Sequence, residues 1–428
     1  MPLKAASSQR RHWLGGRSFC ERIPTSTGLK TSSRQLPSPS SHVSWVGSGR
    51  KQELLFRHLA TRPGGLYLLD PHEVKLAMER LEGAHPGVRF FYAMKANSHP
   101  DVLRQVIAAD WNFDAASAQE IDTLISLGVP GCKILAANPV KDSATISRIW
   151  EHGIAATVVD SVEEVHKLAR FRAGGAVSDL GALVRIALTD GEHSLRLSRK
   201  FGCLSEQVPS IVSAIESSGL RMLGIHFHVG TQCRQVELFD RAFEKAVALV
   251  REAMSSMDHP PVIDMGGGFP VDTSGWEDYD ENDFFRQIGE RVRWAQRLGF
   301  LVWAEPGRYV CGKAGMLVVT VIGKVKRQSG WWLHLDNGIY GNLLTSFTDG
   351  QHYRFFALVR EDTADLVPYT LCGPTCDGVD VIQDQVWLPS SLREGDRLVV
   401  PDLGAYSLET FTGFNGFSGP PVILLGNS

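Results

Sequence analysis

Several features are scarce in this chain of 428 residues, and each scarcity removes a class of function. Net charge is small: 44 Lys and Arg against 47 Asp and Glu leave −3. That balance leaves no electrostatic footprint for nucleic acid or an anionic membrane surface. Every uninterrupted apolar run is shorter than a membrane-spanning helix requires. The seven cysteines (Cys20, Cys132, Cys203, Cys233, Cys311, Cys372 and Cys376) are odd in number and scattered. None has the CxxC spacing of a zinc ribbon or thioredoxin-type site, so free thiols in a reducing compartment are expected. Acids are nearly missing from the first fifty residues, which hold only Glu21. A Gly-rich turn after the first strand, the mark of a doubly wound dinucleotide-binding sheet, is also missing.

The first fifty residues are Ser- and Arg-rich, lack apolar periodicity and are punctuated by Pro24, Pro37 and Pro39. Such a segment buries too little surface to offset its ordering entropy, so disorder and a cytoplasmic protein are expected. The same composition suits an organelle transit peptide, the alternative reading.

What is present begins with Phe90-Phe91-Tyr92-Ala93-Met94 followed by Lys95. A continuous apolar run of this kind reads as a strand buried on both faces, as in a parallel sheet. Burial at its tip would depress the Lys95 amine and suit it to Schiff-base chemistry. The plainer alternative is a lysine that snorkels to solvent.

A strand at 66–70 and a helix to about residue 81 come first. Eight strand-like runs then follow, most succeeded by helical patterns: 90–94, 111–115, 133–136, 156–159, 182–187, 223–228, 262–265 and 301–304. Ser117 to Glu120 and Ser161 to Glu164 fit capping boxes. Gly128, Gly153, Gly219 and Gly299 stand where helix C-terminal caps belong. Eight alternations predict an α/β fold, a (β/α)8 TIM-like barrel, whose active site lies at the strands' C-terminal ends. Those ends carry Lys95, Asp114, Asn138, Asp160, Arg185, His228, Gly266 to Gly268 and Glu305. After Gly312 the helical periodicity stops, and runs at 317–322, 331–335, 386–388 and 397–400 predict a C-terminal all-β domain. The domains are expected as a 1–50 extension, a barrel over 70–308, and a β-domain of 51–69 plus 309–428.

Gly266-Gly267-Gly268 and Glu305-Pro306-Gly307-Arg308 follow the seventh and eighth barrel strands, where this fold often cradles phosphate. Backbone N–H groups of the glycines and the Arg308 guanidinium suit an anion. Phosphate beside a strand-end lysine points to pyridoxal phosphate. Glu305 would then face the ring nitrogen, or else simply pair with Arg308. His226 and His228, two residues apart, could bind a metal, but no acidic third ligand is near in sequence and no metal is expected.

FYAMKAN, FDAASAQE, HFHVGTQC, DMGGGFP, AEPGRYV, GPTCDGVD and GAYS-to-FNGF together resemble the group IV pyridoxal-phosphate decarboxylases of the alanine racemase-like fold, most of all ornithine decarboxylases. The resemblance spans about residues 66–428. It implies that Lys95 forms the Schiff base with the cofactor, His228 stacks on its ring and Glu305 pairs with its nitrogen. Gly266, Gly267, Gly268, Thr231, Gly307, Arg308 and Tyr406 would hold the phosphate, with Asp114 and Arg185 lining the pocket. Glu120 matches a pocket-facing glutamate, though its capping box explains it equally well.

The resemblance further implies a homodimer with shared sites. Cys376 and Asp377 would reach into the partner's site, Cys376 as proton donor to the substrate carbanion. Without it, Cys376 reads as a buried structural cysteine. Asp349 and Asp377 would bind the distal ammonium of a diamino acid. The implied reaction is L-ornithine to putrescine, with lysine to cadaverine next.

Two alternatives are a diaminopimelate decarboxylase, which these two carboxylates would oppose, and a non-enzymatic regulator of the antizyme-inhibitor type, which would have shed cofactor contacts. Thr348 departs from the aromatic that the family's ornithine enzymes carry before the first aspartate, leaving substrate length open. Residues 1–50 match nothing in the family, and the degradation tail of animal enzymes is expected to be absent.

Overall fold

The computed structural model describes residues 64–172, 180–188, 200–254, 257–358 and 365–425. The expectations for residues 1–50, for Cys20 and for 51–63 lie outside them.

Eight parallel strands close into a barrel: β2 (Val88–Ala93), β3 (Asn112–Asp114), β4 (Ile134–Ala136), β5 (Ala156–Val159), β6 (Gly181–Arg185), β7 (Arg221–His226), β8 (Val262–Asp264) and β9 (Leu301–Ala304). They coincide with the eight expected runs to within a few residues. The runs form strands because both faces are dry: β5 and β6 are buried at every position. Phe91, Leu135, Val158, Leu183, Leu223, Val262 and Trp303 make a separate apolar cluster. The register slips by one residue between β6 and β7 beside Gly224. Its φ of +150° and the adjacent Val262 carbonyl leave no room for a Cβ there.

The helices are α1 (Pro71–Ala84), α2 (Pro100–Ala108), α3 (Ala118–Ser126), α4 (Ser143–Glu151), α5 (Val162–Arg170), α6 (Val208–Ser217), α7 (Val236–Ala253) and α8 (Glu281–Arg297). Side-chain caps fix where six of them start: Asp70, His99, Ser117, Asp142, Ser161 and Asp280 each accept from a first-turn N–H. The four expected C-terminal glycines all take positive φ. Ser161 caps as expected, but Glu164 does not complete the box. Its carboxylate turns instead to the Lys141 N–H at 3.1 Å and to the Lys141 and Lys167 ammoniums. A buried lysine needs that partner more than a helix end needs a second cap.

The remaining strands form a separate sheet: β1 (Leu66–Leu69), β10 (Gly315–Arg327), β11 (Gly330–Leu335), β12 (Phe356–Ala357), β13 (Leu366–Cys372), β14 (Val381–Pro389), β15 (Arg397–Val400) and β16 (Val422–Leu424). β1 precedes the barrel in sequence but pairs with β10 and β16. Helical structure does not stop entirely at Gly312, because a one-turn helix, α10 (Leu344–Thr348), interrupts this region. Among the described residues no helix is long and apolar enough to cross a membrane.

Candidate active site

Lys95 lies in a 3-10 turn, Met94–Ala96, directly after β2. The turn is held from several sides. Tyr92 Oη donates to the Asn97 carbonyl, Asn97 Nδ2 donates to the Gly404 carbonyl, and the Tyr406 N–H donates to the Ala96 carbonyl, at 2.8–2.9 Å. Gly307 packs so closely on Ala93 and Ala96 that a Cβ would sit 2.9 Å from the Ala96 methyl. The lysine is thus placed by its turn's contacts with two other segments, at Gly307 and at Gly404 to Tyr406.

The Lys95 amine meets Asp114 Oδ2 at 2.5 Å. Asp114 is 1% exposed, whereas the Lys95 side chain is 43% exposed. Removal from water works against the ammonium, but the Asp114 carboxylate outweighs it, with Tyr406 and Glu305 adding, so the amine's pKa is raised. The sequence reading expected a depressed amine; the opposite direction follows from Asp114, which only the fold brings into contact. Burial likewise raises the Asp114 carboxyl, against the pull of Lys95. An ion pair is the state that satisfies both.

Arg185, at the end of β6, is buried with its guanidinium 5.3 Å from the Phe201 ring centroid. Asp160 accepts from the Gly202 N–H at 2.9 Å, and Asn138 Nδ2 donates to the Ala116 carbonyl at 3.4 Å. Both of these strand-end residues therefore hold loops. Ser117 caps the Glu120 N–H as expected, but Glu120 Oε2 accepts from the Ala116 N–H at 2.6 Å, one residue before the cap, so the box does not close on Ser117.

His228 lies two residues past β7, where Nδ1 accepts from the Gly230 N–H at 3.0 Å. Burial first, and then the Arg185 cation, push its pKa down to about 3, so the ring is neutral. Gly266 and Gly268 have φ of +63° and +98°. A Cβ on Gly266 would lie 2.5 Å from the Phe227 carbonyl and one on Gly267 3.5 Å from His228 Nε2. The glycines therefore let the loop after β8 run close beside the imidazole.

Arg308 opens a short helix, α9 (Arg308–Cys311), and is buried. It does not pair with Glu305, the alternative considered above. Its Nη2 donates to Asp349 Oδ2 at 3.0 Å and to Thr231 Oγ1 at 3.4 Å, and its guanidinium lies 4.9 Å from the Tyr406 ring centroid. Its Nε is buried without a hydrogen-bond partner. Asp349, expected at the far end of a substrate pocket, is thus held in the cradle by Arg308.

Glu305 follows β9, and its Oε1 is 3.4 Å from Nε2 of His226 at the end of β7. Asp264, the last residue of β8, joins them. The sequence reading set a metal aside because no acid stood near the histidine pair; the barrel brings two acids to His226. His226 and Asp264 are neighbours of Glu305 that the sequence did not mark as such, although Asp264 opens the DMGGGFP motif and His226 is one of the paired histidines.

Cys376 and Asp377 lie on the loop between β13 and β14, and their hydrogen bonds stay inside that region of the chain. The Cys376 N–H donates to Asn415 Oδ1 at 3.2 Å, and Tyr340 Oη donates to Asp377 Oδ2 at 2.5 Å. Cys376 is exposed, which removes the reading of a buried structural cysteine. The other described cysteines, Cys132, Cys203, Cys233, Cys311 and Cys372, are also free.

The mouth suits pyridoxal phosphate. Orphaned buried atoms (Asp114 Oδ1, Glu305 Oε1, Arg308 Nε) supply two acceptors and a guanidinium donor around a lysine amine and a glycine loop. An amine, a neutral ring to stack on, a carboxylate for a protonated nitrogen and a phosphate cradle are the chemistry that cofactor needs.

Comparison with known proteins agrees. Residues 72–312 match the family described as pyridoxal-dependent decarboxylase, pyridoxal binding domain. The lysine/ornithine decarboxylase of Selenomonas ruminantium is 35% identical over 341 residues, covering 79% of this chain and 84% of that protein. The ornithine decarboxylase of Saccharomyces cerevisiae is 30% identical over 375 residues, covering 82% and 78%. Among solved structures, the lysine/ornithine decarboxylase of Vibrio vulnificus complexed with cadaverine superposes with a TM-score of 0.79 at 30% identity, covering 89% of this chain and all of that one. SrLDC in complex with PLP and cadaverine gives 0.78 at 31% identity, covering 89% and 94%.

Proposed function

The chain belongs to the group IV pyridoxal-phosphate-dependent decarboxylases of basic amino acids, and from that premise we propose that it converts L-ornithine to putrescine. It is a carboxy-lyase whose cofactor is pyridoxal phosphate. The observation that carries the finer reading is the pair of acids outside the lysine's immediate contacts, Asp349 in the cradle and Asp377 on the exposed loop. Two carboxylates favour a distal ammonium and repel a distal carboxylate, which argues against diaminopimelate. Lysine to cadaverine is the second reading, favoured by Thr348 at the end of α10, a smaller side chain than the aromatic of the family's ornithine enzymes. The two relatives named lysine/ornithine decarboxylases point the same way.

Bound pyridoxal phosphate supplies an electron sink for the pair left when carbon dioxide departs. The protein's own groups do the rest. Lys95 Nζ is the amine that holds the cofactor, and Asp114 Oδ2 takes the proton that this amine must lose. His228, neutral and fixed through Nδ1, offers a flat apolar face. Glu305 offers a carboxylate to the ring nitrogen. The N–H groups of Gly266 to Gly268, together with Arg308, Thr231 and Tyr406, hold phosphate. Asp349 exchanges Arg308 for the substrate ammonium once phosphate has taken the guanidinium. Cys376 and Asp377, supplied by a second copy of the chain in a homodimer, give the α-carbon its proton and the ammonium its second carboxylate. A cytoplasmic setting suits these free thiols.

The test is to incubate the purified protein and pyridoxal phosphate with ornithine, lysine, arginine and diaminopimelate and identify the amine formed. Putrescine as the main product supports the reading; agmatine, or lysine formed from diaminopimelate, overturns it.

A further inference from the structure

His226 is the imidazole of the HFH pair for which the reaction above has no use. It lies in a cluster assembled from three strand ends: His226 from β7, Asp264 from β8 and, just past β9, Glu305. All three residues are at most 5% exposed. One nitrogen or oxygen of each lies within 4.8 Å of the others, and His226 Nε2 is 3.4 Å from Glu305 Oε1. Asp264 Oδ1 accepts from the Gly266 N–H at 2.9 Å. Both imidazole nitrogens, Asp264 Oδ2 and Glu305 Oε1 have no well-formed hydrogen bond.

Two carboxylates this close and this dry cannot both stay charged, so one keeps a proton. Lys95 and Arg185 are the cations facing the cluster, Asp114 and Asp160 the nearby anions, and His228 the neighbouring neutral ring. Burial and then the Glu305 charge push Asp264 far up, which marks it as the holder of that proton. Burial also pushes Glu305 up, but the adjacent His226 imidazole, which can donate to it, and the Lys95 ammonium hold it low. Burial pushes His226 down, so it is a neutral donor.

We propose that Asp264 and His226 are positioning residues for Glu305. Asp264 carries a proton on Oδ2, His226 presents an N–H from Nε2, and the two donate to the Glu305 carboxylate. Glu305 thereby stays ionised and aimed, with one acceptor site left for the cofactor's ring nitrogen. The inference rests on Glu305 being the partner of that nitrogen. A divalent metal held by the same three atoms is the competing occupant.

The experiment compares holoenzyme variants by two readouts other than turnover: the apparent Kd for pyridoxal phosphate and the pH profile of the cofactor's visible absorbance. Asp264→Asn keeps an oxygen for the Gly266 N–H and adds an amide N–H for Glu305. Expected is a Kd within about threefold of wild type and an unshifted profile. Asp264→Leu and His226→Leu each remove a donor, with an expected loss of about tenfold or more and a shifted profile. His226→Gln, which keeps an N–H, recovers most of that loss. If Asp264→Asn behaves like Asp264→Leu, Asp264 is ionised and the proposal is overturned. It is overturned equally if the cofactor-free protein takes up zinc stoichiometrically and Asp264→Leu abolishes the uptake. Glu305→Gln is the control: if it alters neither Kd nor profile, the reading of Glu305 itself fails, whatever the other variants do. Asp264→Asn and Glu305→Gln are both isosteric, so the comparison survives misfolding of the leucine variants.

Discussion

The barrel mouth and the Gly373–Gly378 loop hold the two halves of the proposed site, and they are built in opposite ways. At the mouth, Asp114, Arg185, His226, Asp264, Glu305 and Arg308 are all buried, and several of their polar atoms have no partner. On the loop, Cys376 is exposed, and the neighbouring polar groups are satisfied within their own region of the chain. Asp380 fixes that loop: its carboxylate accepts from the Ile339 N–H and from both the N–H and hydroxyl of Thr375, at 2.7–3.0 Å. One region is buried with polar atoms left unpartnered; the other is exposed with its polar groups paired. Electrostatic preorganisation is effective where water is excluded, which describes the mouth and not the exposed loop.

The sharpest way to break this comparison is to separate the halves genetically. Lys95→Ala and Cys376→Ala are each expected to lower decarboxylation by about a hundredfold or more. If a second copy supplies Cys376, mixing the two variants restores about a quarter of wild-type activity, because half of the random dimers carry one intact site. No recovery after co-refolding or co-expression would show that each site is built from a single chain.

A second test sharpens the charge state of the mouth. The raised Lys95 amine is protonated at neutral pH, so the free amine is scarce and grows about tenfold per pH unit below its pKa. The rate of covalent cofactor attachment, followed by absorbance, is therefore expected to climb with pH through the neutral range. Asp114→Asn removes the largest raising influence and leaves burial opposed only by Tyr406 and Glu305, so the amine's pKa falls. Its profile should level off at lower pH; a profile identical to wild type refutes the ion pair as the cause.

The smallest expected effect concerns the loop. Asp380→Ala leaves three donors without an acceptor and is expected to cost roughly 3 kcal/mol of stability, read as a lower melting temperature. Turnover should fall several-fold while the cofactor Kd stays unchanged. A weaker cofactor Kd would mean that the loop and the mouth are not separate devices.

The barrel was readable because its strands are buried on both faces and so appear as unbroken apolar runs, Phe90–Met94 above all. The β-domain was less so. β13 carries Pro368, which argues against a strand; it is tolerated because pairing with β11 begins only at Tyr369, and Pro368 faces β14 alone. β12 and β16 are two and three residues long and leave no periodicity to read. Lys95, the glycine loop, Arg308 and the Cys376–Asp377 pair were visible as motifs. His226 drew notice only as half of a metal pair, and Asp264 only as the first letter of one, since neither has a neighbour in sequence to mark it.

By itself the sequence determined where strands and helices lie, which turn carries the lysine, where backbone may approach an anion, and through the order of its motifs the family. Those are local properties, set by apolar patterning, caps and glycine. The ionisation and pairing of the site belong to the tertiary structure alone. Asp114 raises Lys95, Asp349 takes Arg308, and His226 and Asp264 meet Glu305 because the fold brings charges from separate segments within a few ångströms. Coulomb energy there depends on distance and burial, and neither can be read along a chain.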